Sequence, residues 1–312
     1  MRGSLLAVLV ALGGLVVLSC TGDRAPLPPR EPSVMGPAAP VPPVNRGQVE
    51  ALIPKLFPPV ALRQQANDRL TSIHHALLDG DAVGAQRQAR DFVAFAGQLL
   101  ADDRLLHFLG GPPDPFLQQF VRSLFAFVGI TGLEQDGAVE VVDSGGKTLV
   151  TAPLRRAGVR IPGERGRRKF LLVISLLPAD APPLSTPLRQ IPPFYEFSPN
   201  PPLVLPASNK ALVGLCQDDA AVADIPDHYG RIRIAHLVST PLGGVEVLDY
   251  AFPDFLENCA NPPPGPPSQG GLLERLLLPR RLHAAAVAHG GAGGSVESFS
   301  PFVAVDIGSI DP

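Results

Sequence analysis

The hydrophobic period of this chain changes near residue 137, and that change bounds the fold more tightly than any motif. Before it, apolar residues recur every three or four positions. Leu62, Ala66, Leu70, Ile73 and Leu77 fall on one face of a predicted helix over 59–79. Ala85, Ala89, Phe92, Val93, Ala96, Leu99 and Leu100 do the same on a second. Between them Gly80 suits a left-handed helix end and Asp81 a helix cap, so the two helices should be antiparallel neighbours. A third is predicted over 114–129, with a wide apolar face from Phe116 to Val128. Residues 47–130 therefore read as a helical bundle.

From 137 the period is two. Val139 and Val141 alternate with Ala138 and Glu140, and Asp143-Ser144-Gly145-Gly146 reads as a hairpin turn returning at 148–151. Phe170–Leu177 is a continuous apolar run of strand length. Further strands are expected over 194–197, 212–216, 231–238 and 245–250, with a second hairpin turn at Leu242-Gly243-Gly244. In Arg231-Ile232-Arg233-Ile234 the alternation is clean. Proline supplies 37 of the 312 residues, and each removes a backbone donor and fixes φ. Such a chain favours loops and short strands, as in the Pro-rich stretch 178–206. After Pro262-Pro263-Pro264-Gly265-Pro266-Pro267, a short helix over 272–278 and strands over 284–288 and 302–307 are expected, the last two flanking a Gly-rich connection. The expected class is α+β: an N-terminal helical bundle, then an antiparallel β-sandwich over 137–312.

The N-terminus carries the location. Arg2 precedes an uncharged apolar run over 5–18 that is shorter than the ~20 residues of a membrane span. A basic start, an apolar core and a small residue before the cut make a signal peptide over 1–19. Val17-Leu18-Ser19-Cys20 resembles the bacterial lipobox, which implies that Cys20 is acylated and becomes the first mature residue. Eight of the 26 residues in 21–46 are proline. Residues 20–46 are thus a lipidated cysteine and an extended linker, which at ~3.1 Å per residue could reach roughly 80 Å. Thr21 follows the cysteine, where an Asp would mark inner-membrane retention, so an outer-membrane or cell-surface position is expected. Arg outnumbers Lys by 22 to 4, which suits a GC-rich bacterial source. With Cys20 lipidated, Cys216 and Cys259 remain, and an oxidising compartment favours a bridge between them. Closing that loop would contribute about 4 kcal/mol.

Three segments carry a resemblance. Gly158-Val159-Arg160-Ile161-Pro162-Gly163, then Leu172-Val173-Ile174-Ser175, then Pro193-Phe194-Tyr195-Glu196-Phe197-Ser198-Pro199 resemble the ZU5 pattern over about residues 138–250. ZU5 domains are β-sandwich interaction modules, so the resemblance implies a ZU5-like or Ig-like sandwich. The chain departs from the pattern after Ile161-Pro162, where Gly163-Glu164-Arg165-Gly166-Arg167-Arg168-Lys169 replaces the usual small residues. Arg231-Ile232-Arg233-Ile234-Ala235-His236, Asp254-Phe255-Leu256-Glu257-Asn258-Cys259 and Ser298-Phe299-Ser300-Pro301-Phe302 resemble uncharacterised surface proteins of soil bacteria such as Gemmatimonadota. That likeness implies location and β architecture.

Candidate chemistry is sparse. Asp143-Ser144-Gly145-Gly146 resembles part of a chymotrypsin-like serine motif, but the family's upstream Ala-Ala-His-Cys is absent. The stretch from His289 to Ser295 resembles an esterase oxyanion segment, but no Gly-x-Ser-x-Gly elbow accompanies it, and a flexible strand connection is expected there. His74 and His75 point about 100° apart on a helix and cannot share a metal. His228 and His236, and His283 and His289, lack a third ligand. No catalytic residue, cofactor or metal is predicted. Arg165, Arg167, Arg168 and Lys169, near Arg155 and Arg156, form the one basic concentration. They could meet lipid phosphates or an acidic cell-surface polymer, and a protein is a further candidate partner of the chain. A net charge of −3 gives no field for nucleic acid. The expected role is binding or structure at the envelope, with the N-terminal lipid as membrane partner and no enzymatic activity. The competing class is a secreted hydrolase whose site one sequence does not reveal.

Overall fold

The computed structural model describes residues 46–105, 114–180, 183–217, 219–225, 228–238, 244–256 and 291–309. The segment read as a signal peptide, Cys20, most of the expected linker, Cys259 and the tail segments expected over 272–278 and 284–288 lie outside these residues.

Two short helices that the periodicity did not predict come first, α1 (Arg46–Glu50) and α2 (Ile53–Leu56). The long pair follows as α3 (Val60–Leu78) and α4 (Ala82–Ala101). Gly80 between them takes φ +78°, and the Asp81 carboxylate accepts the Gly84 N–H at 2.8 Å, so both turn residues act as expected. All seven predicted apolar positions of α4 are buried. On α3 the stripe ends at Ala76, and Leu77 is only half-buried against the same core. Then come α5 (Asp114–Phe127) and α6 (Gly132–Asp136). Phe57, Phe92 and Phe120 meet at the centre of these helices, with ring centroids 5.0–6.0 Å apart.

Among the described residues, ten strands form two antiparallel sheets. Sheet one contains β1 (Gly137–Val142), β4 (Phe170–Leu177), β5 (Arg189–Asn200), β7 (Ile232–Val238), β8 (Gly244–Val247) and β10 (Pro301–Asp306), in the order β1-β4-β5-β10-β7-β8. Sheet two contains β2 (Lys147–Val150), β3 (Ala157–Ile161), β6 (Ala211–Cys216) and β9 (Gly291–Val296), in the order β2-β3-β6-β9. Two single-turn helices, α7 (Asp219–Val222) and α8 (His228–Arg231), lie between β6 and β7. The class is therefore α+β.

The apolar run in β4 is explained by its position. Leu171 and Val173 pack into the helix core, while Phe170, Leu172 and Ile174 join the core between the sheets. A strand covered on both faces has no position for a polar alternation. Ile232 and Ile234 of β7 also point into the shared core. The other half of the outer face of sheet one carries a smaller cluster, where Leu184 covers Phe194, Ala235, Val303 and Val305.

Three expectations are corrected. Asp143-Ser144-Gly145-Gly146 does turn the chain, with Gly146 N–H bonded to Asp143 O at 3.3 Å. It does not make a hairpin: β1 pairs with β4 and β2 with β3, so the turn carries the chain from one sheet to the other. The strand expected over 194–197 runs over twelve residues. Pro192 and Pro193 fall where the β5–β10 register shifts, between Ile191↔Ala304 and Tyr195↔Phe302, a bulge that needs no donor from them. Gly291–Val296, expected as a flexible connection, is a buried strand paired with β6 from Ala211 to Cys216. Its glycines admit the segment 248–256. A Cβ on Gly293 would sit 2.2 Å from the Ala251 carbonyl oxygen, and Ala251 N–H bonds to Gly293 O at 2.9 Å.

Candidate functional site

The basic loop 165–169 joins β3 to β4, and most of its charge is spent inside the chain. The Arg167 side chain is only 5% exposed. Its guanidinium donates to Pro162 O at 2.9 Å and Asp143 O at 2.8 Å, and it lies over the Phe170 ring. Arg168 and Lys169 face Asp102 and Asp103 just past α4, at 3.6 and 3.3 Å. Arg165 is exposed and has no partner among the described residues. The loop thus ties the sheet-switching turn and the end of α4 to β4.

Cys216 ends β6, buried against Phe255 and Leu256. Among the described residues no group of three or more His, Cys, Asp or Glu could hold a metal ion.

Two polar clusters escaped sequence reasoning. The first centres on Asp136, fully buried at the junction of α6 and β1. One carboxylate oxygen accepts from Leu154 N–H at 2.9 Å and Arg155 N–H at 3.2 Å. The other accepts from Tyr195 O–H at 2.6 Å, Thr151 O–H at 2.8 Å and Arg156 N–H at 3.2 Å. One side chain thereby fixes the β2–β3 connection and a strand of the opposite sheet.

The second centres on His236 of β7, 1% exposed and stacked on Phe302 with centroids 5.0 Å apart. Its Nε2 lies 3.0 Å from a Glu246 carboxylate oxygen on β8 and its Nδ1 3.3 Å from the Ser300 hydroxyl. Hydroxyl, imidazole and carboxylate in line is the order of a nucleophile–base–acid relay. Here, however, the Ser300 oxygen also accepts Leu237 N–H at 3.2 Å and lies 3.1 Å from Pro301 O. The cluster reads as a tie between β8, β7 and the start of β10. Burial holds the His236 pKa below the usual histidine value, against the opposing pull of Glu246. The unfolded chain then binds the extra proton, so this contribution is complete above the unfolded pKa of about 6.5 and is lost as pH falls below it. Thermal melts should show stability falling from about pH 7 to 5, with a shallower fall in His236→Phe. An equal slope in both proteins would remove His236 from the account.

A cleft of about 300 Å³ opens where the helices meet sheet one. Gln86 and Arg90, one turn apart on α4, line one wall, with Gln135 of α6 and Ser175 of β4 opposite. Arg90 is ion-paired with Glu196 of β5, and this pair with Ser175 continues into a smaller hollow of about 50 Å³. The Gln86 amide donates to Val128 O at 3.3 Å and that of Gln135 to the Thr131 hydroxyl at 3.2 Å. Ser175 is 5% exposed and lines both hollows. Ile130, Leu177 and Pro178 supply an apolar surface beside these groups. The arrangement can hold a small molecule with a polar edge and an apolar face.

No family model matches this chain, and no curated protein matches it.

Proposed function

We propose that this chain is a lipid-anchored protein of the bacterial cell envelope, held through Cys20 at the outer membrane or cell surface, and that it acts by binding or by building structure rather than by catalysis. The observation that carries this reading is the order of the N-terminal sequence. A basic residue, an apolar run and Val17-Leu18-Ser19-Cys20 come first, and a Pro-rich stretch then leads to α1 at Arg46. The resemblance to surface proteins of the Gemmatimonadota type agrees with it. Within this reading the helices are a bundle preceding a ZU5-like or Ig-like sandwich, supported by the ten antiparallel strands of the described residues, in two sheets around a shared core. A protein partner suits the molecule better than an acidic polymer, since Arg167, Arg168 and Lys169 already face acceptors of the chain itself. We also propose the bridge Cys216–Cys259. Leu256 packs on Cys216, and the three residues from there to Cys259 can span ~10 Å, enough to meet the ~7 Å Cα separation a disulfide allows.

One experiment tests both covalent claims. A non-reduced peptide map of the protein from native membranes should show acyl mass on an N-terminal Cys20 peptide and a single cross-linked peptide containing Cys216 and Cys259. Acyl mass should vanish in Cys20→Ala. An unmodified chain retaining residues 1–19 would overturn the anchor, and separate alkylated thiols at 216 and 259 would overturn the bridge.

A further inference from the structure

We propose that the cleft between α4, α6 and β4 is a binding site for a neutral pyranose sugar. The volume sets the scale. About 300 Å³ is on the order of ten waters' worth of space and the lower end of ligand pockets, which suits one sugar ring. Charge sets the class. Arg90 is the cation of the cleft, and Glu196 already neutralises it. An anion would meet Glu196 beside its partner, and a cation would meet Arg90. What remains is a mixed set of donors and acceptors: the amides of Gln86 and Gln135, the Ser175 hydroxyl, and the guanidinium and carboxylate side by side. Ligand hydroxyls that both donate and accept match such a set, and neighbouring hydroxyls match the adjacent donor and acceptor of the ion pair. The Ser175 hydroxyl lines the cleft and can both donate to and accept from a ligand hydroxyl. Ile130, Leu177 and Pro178 face the C–H side of such a ring. This inference does not rest on the lipid anchor and stands or falls separately from it.

The test uses the full chain, in detergent, with methyl glycosides of glucose and galactose, a neutral glucose oligosaccharide, sodium acetate and sodium phosphate as probes. Ligand-observed saturation-transfer NMR should show saturable millimolar binding of a methyl glycoside and none of either anion. A stronger signal from the oligosaccharide than from the monosaccharide would identify a glycan chain as the source, and the reverse a free sugar. Ser175→Val, which removes the hydroxyl at nearly constant shape, should weaken binding about tenfold, the loss of about one hydrogen bond. Gln135→Ala, at an exposed position, should weaken it with the melting temperature unchanged. The proposal is overturned if no pyranoside binds at tens of millimolar, if either anion binds more tightly than the pyranosides, or if both variants bind as the parent does.

Discussion

Replacing Asp136 with alanine should cost about 4 kcal/mol or more of folding stability. Five donors converge on this carboxylate, and a buried donor left without an acceptor costs ~1–3 kcal/mol. Tyr195 is fully buried, so its hydroxyl has no water to turn to. The three backbone N–H groups from 154 to 156 are partly buried and recover some of their loss by hydration. For a unit of this size the melting temperature should fall by about 10 °C. Tyr195→Phe removes a single bond and should cost ~1 kcal/mol. Equal effects of the two variants in thermal melts would show that Asp136 is not the hub. Asp136→Asn should fall between them, because an amide oxygen can serve some donors while its NH₂ faces others.

Gly97→Ala should also destabilise, against the sign that helix propensity alone predicts. Alanine in a helix interior is favoured over glycine by up to about 1 kcal/mol. Gly97 lies in α4 where the helix touches the end of β5, and an added Cβ would sit 2.4 Å from the Asn200 carbonyl oxygen and 2.5 Å from the Asn200 Cβ. Neither atom is the end of a flexible side chain. The helix must lift off the sheet, disturbing the core that α4 shares with β4, and such overpacking costs ~1–3 kcal/mol. The net expectation is a loss of about 1 kcal/mol, read as a lower denaturation midpoint. A gain in stability would mean that α4 can shift without penalty.

What could be read from the sequence divides along a physical line. The apolar stripes of α3 and α4 were legible because their periodicity is local, and Gly80-Asp81 marked their junction for the same reason. β9 was illegible because Gly291, Ala292, Gly293 and Gly294 carry none of the branched or aromatic side chains that signal a strand. Those residues are small because the segment 248–256 crosses them closely. The Asp136 hub was illegible because its partners come from positions 15 to 59 residues away. A lone carboxylate before a glycine looks like any turn residue. His236 was noticed and weighed for metal binding, yet Glu246 and Ser300 reach it only through strand pairing. The basic loop was legible as a patch, but its acceptors Asp102 and Asp103 belong to another part of the chain. The cleft draws on α4, α6, β4 and β5 and had no linear signature at all.

The place of β10 in sheet one sets the order of biogenesis. Residues 301–306 lie between β5 and β7, at the middle of the sheet and late in the chain. A ribosome that has released everything up to residue 300 has made two strands that cannot yet find their common neighbour. Their unpaired edges and the aromatic face around Phe302 stay unfilled until β10 emerges. A polypeptide arranged this way cannot complete sheet one until residues 301–306 have joined β5 to β7.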